Sequence, residues 1–500
     1  MNIAKRLIAL LALILSLPLT VSALDYNLTI DGVGTMKFSL DYLDLTATVI
    51  GYTPQDVAAD VVIPESVESN GVTFSVTAIG DKAFIGYTSL TGKLVIPNSV
   101  ITIGEAAFIR CSGFTGDLII PESVTSIGSS AFANCNGFTG KLIIGNSVTS
   151  IGSSAFQSCS GFTGDLTIPE SVTSIGEGAF MNCSGFTGDL IIGNSVKTIG
   201  KWAFEGCSGF IGSLTIGNSV ESICQSAFEG CSGFTGDLTI PESVATIGEW
   251  AFRDCSGFTG NLKIGNSVIL VEYGTFYGCN GFTGSLEIGN SVTSIGGLAF
   301  FRCSGFTGDL TISESVTSIG SSAFYDCSGF TGDLIIPESV TSIESSAFSG
   351  CSGFTGTLTI PNSVMTIDDV AFSECDGFTG DLTIGNSVKT IGASAFNIGS
   401  ITGVTVLNSL PPTMPDNGFA WDIYKNATLK VPNESIEDYK AANGWKQFFN
   451  ITGLSNIVPT KIEIDLANVE LTEGETAPLK AIITPEDATD KSVTWSSSDE

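Results

Sequence analysis

Cysteine has the most regular spacing of any reactive residue in this sequence. Stacked thiols at a fixed period come close enough for disulfide bonds in an oxidising compartment. Each periodic cysteine nevertheless occupies a position predicted to point into the core close to phenylalanines, as Cys183 does between Phe180 and Phe186. This position favours an inert, buried thiol that packs as part of the core. Cys224 breaks the period and is expected near the surface. The twelve periodic cysteines, 24 residues apart, are Cys111, Cys135, Cys159, Cys183, Cys207, Cys231, Cys255, Cys279, Cys303, Cys327, Cys351 and Cys375.

Acidic residues also recur in columns, whereas histidine is absent from the sequence. The absence of histidine excludes Ser-His-Asp and Cys-His nucleophilic sites and every histidine metal site. Stacked carboxylates such as Asp165 and Asp189, or Asp309 and Asp333, offer oxygen ligands for Ca²⁺. Residues such as Lys141 interrupt these columns and favour a solvated acidic face. Glycoside hydrolysis needs two carboxyl groups in different environments, whereas the acids of a repeated face have similar environments. We therefore predict no enzymatic activity and no cofactor.

A third column varies from repeat to repeat and contains aromatic residues. Three successive repeats place Tyr277, Phe301 and Tyr325 at the same position, between the repeated phenylalanine and cysteine. Tyrosine, tryptophan and arginine are enriched at binding hot spots. The alternative is that these rings pack flat against neighbouring repeats as partial core. The candidate ligand-binding residues are Trp202, Trp250, Arg253, Tyr273, Tyr277, Phe301, Arg302 and Tyr325.

The repeat that carries these columns is 24 residues long and begins at Leu94, then at Leu118, and so on to Leu382. A fixed period of this length indicates a repeat array rather than unrelated domains. Chains shorter than about 40 residues seldom bury enough surface to fold alone. Successive repeats must therefore stack, and each apolar layer is completed by its neighbours. In the repeat that starts at Leu166, the positions predicted to point inward are Leu166, Ile168, Val172, Ile175, Ala179, Phe180, Cys183 and Phe186.

Each repeat is predicted to form one coil with three sides. Residues 166–168 alternate as a short strand, 172–175 favour a second strand, and 177–183 favour one turn of helix. Proline replaces glycine after the first strand in about half of the copies, so that strand should end there. The predicted fold is a β-rich repeat solenoid of parallel short strands with a helical turn per coil.

Charge and targeting signals restrict the partners and the location. The net charge of −31, from 51 acids against 20 bases, makes a nucleic-acid partner improbable. Lys5 and Arg6 precede the apolar run 7–17, and Val21-Ser22-Ala23 completes the pattern of a signal peptide over residues 1–23. The alternative for this segment is an uncleaved anchor, although the run is short for a membrane span. No membrane insertion of the mature chain is predicted.

The pattern L-x-I-P-x-S-V-x-x-I-G-x-x-A-F-x-x-C-S resembles the BspA-type leucine-rich repeat over residues 60–405. Alternating segments after residue 458 resemble the opening half of a bacterial Ig-like group 2 domain. The resemblance implies a curved leucine-rich-repeat solenoid, a non-catalytic role, and adhesion or surface display. We predict an N-terminal β cap with a degenerate first repeat at 24–78, the solenoid at 79–405, a C-terminal cap at 406–455 and a truncated Ig-like β-sandwich at 456–500.

These patterns together predict an exported, non-catalytic binding protein that is secreted or displayed on the cell surface. Its solenoid surface would recognise an extracellular protein or glycan ligand, in adhesion or host interaction. A structural spacer that displays another domain is the alternative, because the coils are nearly identical and an Ig-like segment follows them.

Overall fold

The computed structural model describes residues 24–30, 34–55, 60–454, 461–464 and 481–484. The predicted signal peptide and most of the predicted Ig-like segment lie outside the described residues. The described part confirms the predicted fold class in its main feature, a repeat solenoid of short parallel strands.

The first side of each coil is a short strand in which leucine and isoleucine point inward. Leu166 and Ile168 are buried while Thr167 is exposed, and Leu166 pairs in parallel with Leu190 one coil further on. The first-side strands span Val61–Val62, Leu94–Val95, Leu118–Ile120, Leu142–Ile144, Leu166–Ile168, Leu190–Ile192, Leu214–Thr215, Leu238–Thr239, Leu262–Lys263, Leu286–Glu287, Leu310–Thr311, Leu334–Ile335, Leu358–Ile360, Asp381–Ile384, Gly403–Val406, Thr428–Val431 and Asn450–Gly453.

The second side is a strand that buries one isoleucine or valine per coil. Ile175 pairs in parallel with Ile199, and this side belongs to an 18-stranded sheet. Apart from Val72–Ile79, each of these strands has two residues and is shorter than the predicted 172–175, because only the last two residues pair. The second-side strands span Val72–Ile79, Thr102–Ile103, Ser126–Ile127, Ser150–Ile151, Ser174–Ile175, Thr198–Ile199, Ser222–Ile223, Thr246–Ile247, Leu270–Val271, Ser294–Ile295, Ser318–Ile319, Ser342–Ile343, Thr366–Ile367 and Thr390–Ile391.

The third side consists of overlapping turns instead of the predicted helical turn. The N–H of Cys135 donates to the carbonyl of Phe132 three residues earlier, at 3.1 Å, whereas the N–H of Phe132 donates to Ala155 of the next coil at 2.7 Å. Ser130 and Asn134 have φ of 55° and 60°, in the left-handed region that a right-handed helix excludes. Alternate N–H groups therefore bond between coils, which the spacing of apolar residues alone does not reveal.

The core is a stack of similar layers in which the phenylalanine rings of successive coils lie parallel to one another. Phe180 and Phe204 are parallel at a centroid distance of 5.2 Å, and Phe204 and Phe228 at 5.3 Å. A second column includes Phe186 and Phe210, also 5.3 Å apart. These separations correspond to offset stacking, the favoured parallel arrangement of aromatic rings. Each ring thus completes the layer above it and the layer below it.

Additional elements cover the two ends of the solenoid. Strands Leu24–Ile30, Gly34–Asp41 and Thr46–Pro54 form an antiparallel sheet, and the last of them pairs in parallel with the second-side strand Val72–Ile79. Strand Ser66–Ser69 forms a hairpin with that same second-side strand, which is the insertion in the degenerate first repeat.

The C-terminal end contains two α-helices, Trp421–Asn426 and Ile436–Ala441, and two 3₁₀ helices, Asn433–Ser435 and Trp445–Gln447. Trp445 is fully buried, and its indole N–H donates to the carbonyl of Pro412 at 2.7 Å. Strands Lys461–Ile464 and Ala481–Thr484 form an antiparallel pair. Across the described residues, no helix has the length and apolarity needed to cross a bilayer. The domain boundaries given above stay predictions.

The stacked core predicts a large effect of a single ring deletion. Phe204→Ala removes a ring that is packed between two others, and we expect a loss of about 3–5 kcal/mol in the free energy of unfolding. Thermal and denaturant unfolding followed by circular dichroism measure this loss. The control is Ile143→Thr, because Ile143 is 46% exposed and the next coil carries Thr167 at that position. An equal effect of the two substitutions would contradict the stacked core.

Candidate functional site

The periodic cysteines form a buried column of hydrogen-bonded free thiols. The thiol of Cys183 donates to the carbonyl oxygen of Phe156 at 2.9 Å, and Cys207 donates to that of Phe180 at 3.0 Å. Burial, with the neighbouring thiol as a smaller cause, raises the pKa of Cys183 well above its ordinary value. Because the thiolate is the reactive form, these cysteines are structural groups and not nucleophiles. Cys224, outside this column, is half-buried.

The acidic columns bind the backbone of the following coil. Asp165 accepts a hydrogen bond from the backbone N–H of Asp189 at 3.0 Å, and Asp189 accepts one from that of Ser213 at 2.6 Å. The N–H and hydroxyl of Ser213 lower the pKa of the Asp189 carboxyl. Glu170 accepts from the N–H of Asn194 at 2.6 Å. A solvated acidic face was predicted for these side chains, but their contact with the backbone of the next coil was not.

In the part of the chain that the structure describes, no group of three or more histidine, cysteine, aspartate or glutamate side chains is placed to hold a metal ion.

The aromatic column is a parallel stack of half-buried rings on the third side. The ring centroids of Tyr277 and Phe301 are 4.8 Å apart with a 4° angle between planes, and those of Phe301 and Tyr325 are 4.9 Å apart at 10°. All three side chains are neither fully buried nor fully exposed. Since the rings cover one another's faces, much of the surface that they leave to a ligand consists of ring edges.

Trp250 lies at the N-terminal end of this stack and contacts two tyrosines edge-on. Its ring centroid is 5.0 Å from that of Tyr273 and 5.7 Å from that of Tyr277. Trp250 has φ of 59°, a backbone conformation that is costly for a bulky residue. A Cβ atom at Gly274 would lie 2.3 Å from the Trp250 ring. The indole therefore occupies space that only glycine leaves free in the next coil.

Two arginines stack on these rings. The guanidinium of Arg253 lies 5.0 Å from the centroid of Trp250 and 5.5 Å from that of Tyr277, and Arg302 lies 5.2 Å from that of Phe301. Arg253 is also 3.1 Å from the Glu229 carboxylate. Their positive charge is thus held in place by aromatic faces and partly compensated by acids.

The structure brings together seven of the eight predicted residues. Trp202 lies two coils before Trp250 and makes no ring contact within residues 60–454. The rings are packed together, as the partial-core interpretation expected, and they are also partly open to solvent, as the recognition interpretation expected. We call the seven contacting residues the aromatic cluster: Trp250, Arg253, Tyr273, Tyr277, Phe301, Arg302 and Tyr325. Ligand binding by this cluster stays a prediction.

Comparison with known families agrees with this architecture. Residues 77–211, 162–283, 208–331 and 330–443 match the BspA type Leucine rich repeat region, and residues 458–500 match the Bacterial Ig-like domain (group 2). The repeated coil and its stacked core define a leucine-rich-repeat protein. Because the matches span well over half of the sequence, the chain belongs to the BspA-type leucine-rich-repeat family. That family fits a non-catalytic binding or surface role, and its members are generally secreted or on the cell surface.

A solved structure shows the same fold. A leucine-rich repeat protein from Bacteroides ovatus is 24% identical, covers 86% of this chain and 100% of its own, and superposes with a TM-score of 0.62. A leucine rich cell surface protein from Faecalibacterium prausnitzii is 22% identical over 85% of this chain and 98% of its own, with a TM-score of 0.42. Among curated proteins, no match is found.

The thiol column predicts that native protein has one accessible cysteine. Because burial disfavours the thiolate of the periodic cysteines, a thiol reagent at mild alkaline pH should label one cysteine in the folded protein and all 13 in denaturant. Peptide mapping should assign the native label to Cys224. The control is Cys224→Gly, which restores the residue that most coils carry there and should abolish native labelling. Far fewer than 13 thiols in denaturant, or labelling of several periodic cysteines in the native state, would contradict this arrangement.

Proposed function

We propose that this protein is an exported, non-catalytic binding protein that recognises an extracellular protein or glycan through the aromatic cluster. The role is adhesion or recognition of a host or extracellular ligand, at the cell surface or after secretion. The family assignment supports the binding role, and leucine-rich-repeat proteins generally bind protein ligands. The net charge of −31 opposes a nucleic-acid partner.

The proposal rests on the positions at which the repeat varies. Between residues 94 and 405, every tyrosine and every tryptophan except Trp202 lies in the aromatic cluster, and so do two of the three arginines. Other coils have Gln157, Met181 or Ser349 at the position of the stacked rings and retain the same fold. The coil therefore does not need these rings for its core, and their type is the one enriched at binding hot spots.

A structural spacer is the second candidate. The coils are nearly identical along the solenoid, and an Ig-like match begins at residue 458, shortly after the C-terminal helices. A spacer needs length and stiffness but no recognition surface. The two functions therefore differ in whether a defined ligand is captured by the aromatic cluster.

Replacing the stacked rings tests the proposal. The triple variant Tyr277→Ser, Phe301→Ser and Tyr325→Ser should lose at least about tenfold in affinity for a ligand found on arrays of matrix proteins and glycans. Surface plasmon resonance measures the affinity. The melting temperature should fall by only a few degrees, because equivalent positions elsewhere, such as Ser349, tolerate serine.

The matched control is Met181→Ser, at the same position of the coil and four coils before Tyr277. It should bind like the unmodified protein. A large loss of melting temperature with unchanged ligand capture would refute a recognition role for the rings. If the unmodified protein captures no ligand from either array, the spacer is the better account.

A further inference from the structure

The coil that contains Tyr273 also exposes two aliphatic side chains on its second side. Ile269 is 48% exposed and Leu270 is 41% exposed. The position of Leu270 is serine or threonine in every other coil from Thr102 to Thr390. An exposed leucine there contributes nothing to the repeated core, in which the inward residue of this strand is Val271.

These two side chains lie close to the aromatic cluster along the chain. Tyr273 follows Leu270 by three residues, so their Cα atoms are at most about 11 Å apart. Tyr273 is itself 44% exposed, and its ring contacts that of Trp250. We name the aromatic cluster together with Ile269 and Leu270 the apolar patch, which includes residues of the second and third sides of the coil. No other described coil between residues 94 and 405 combines an aliphatic pair at these positions with aromatic neighbours.

Carboxylates surround the apolar patch. Glu249 precedes Trp250 and is exposed, Glu272 precedes Tyr273, and the side chain of Asp254 is 53% exposed. The two arginines do not reverse this charge, because their guanidinium groups are already within 3.1–3.6 Å of acidic side chains. A complementary partner would therefore place basic groups around its own apolar contact.

The packing of the rings disfavours a sugar as the main ligand. Flat stacking on a sugar requires an open ring face, whereas Phe301 is stacked between Tyr277 and Tyr325. Ile269 and Leu270 have no side-chain hydrogen-bonding groups to offer sugar hydroxyls. Large apolar side chains of a protein ligand can pack against ring edges and against the aliphatic pair Ile269 and Leu270.

We propose that the apolar patch binds a protein segment that carries large aliphatic or aromatic side chains next to lysine or arginine. This inference rests on the proposed function and specifies the class of its ligand. Apolar anchors in the centre supply affinity, and the acidic rim selects the basic flanks.

A random-peptide display library, selected on the immobilised full chain, tests the inference. Enriched sequences should combine aromatic or aliphatic residues with lysine or arginine. Synthetic copies should bind at least about tenfold more weakly to Ile269→Thr/Leu270→Ser, and more weakly as salt rises. That double variant carries what the next coil has at Thr293 and Ser294, so it preserves the fold. The matched control is Ile143→Thr, which removes an exposed aliphatic side chain elsewhere and should not affect binding.

Several results would overturn the inference. Enriched peptides that are acidic, peptides that bind both variants equally, or no enrichment would each do so. A glycan captured by the unmodified chain, and lost when the three stacked rings are replaced, would retain the proposed function but refute a protein ligand. A dimer seen by light scattering and abolished by the double variant would assign the patch to a second copy of this chain. Failure to capture any ligand on display, protein and glycan arrays would also refute the proposed function.

Discussion

Dependence of each coil on its two neighbours is the constraint that determines the rest of this structure. A coil supplies one layer of apolar side chains, and adjacent coils cover that layer, as Phe180 and Phe228 cover Phe204. Backbone groups follow the same rule, because strand pairing and alternate N–H groups of the third side connect one coil to the next. Such a chain is stable only as an array, so inward residues repeat from coil to coil.

Outward positions escape this constraint, and successive coils differ from one another at these positions. The pairing of Trp250 with Gly274 shows how local the differences are, since one coil supplies a large ring and the next supplies the space for it. The same region concentrates tyrosine and arginine, and it includes the exposed pair Ile269 and Leu270. A regular scaffold with an irregular surface is compatible with recognition at that surface. A spacer would not need such a surface.

The sequence predicts the core well, because the 24-residue period identifies the side chains that stack from coil to coil. All eight inward positions predicted for the coil at Leu166 are buried. The helical turn was not correct in detail, because the same apolar spacing also fits turns whose N–H groups bond to a residue such as Ala155 one coil away. The carboxylate contact from Asp165 to the backbone of Asp189 was missed for the same reason. The period predicts the aromatic column and allows its rings to pack flat against neighbouring coils, but the edge-on contacts of Trp250 with Tyr273 and Tyr277 depend on packing that no local pattern encodes.

The most direct test of the central claim compares two deletion variants. One lacks residues 142–165, a whole coil, and the other lacks only residues 142–153. Far-UV circular dichroism and thermal unfolding provide the measurement. Removing a whole coil restores every pairing between the remaining coils, so the account predicts a folded protein with a melting temperature near that of the full chain. Removing half a coil places strands against turns and should prevent folding. Equal stability of the two deletions would contradict mutual completion of the coils.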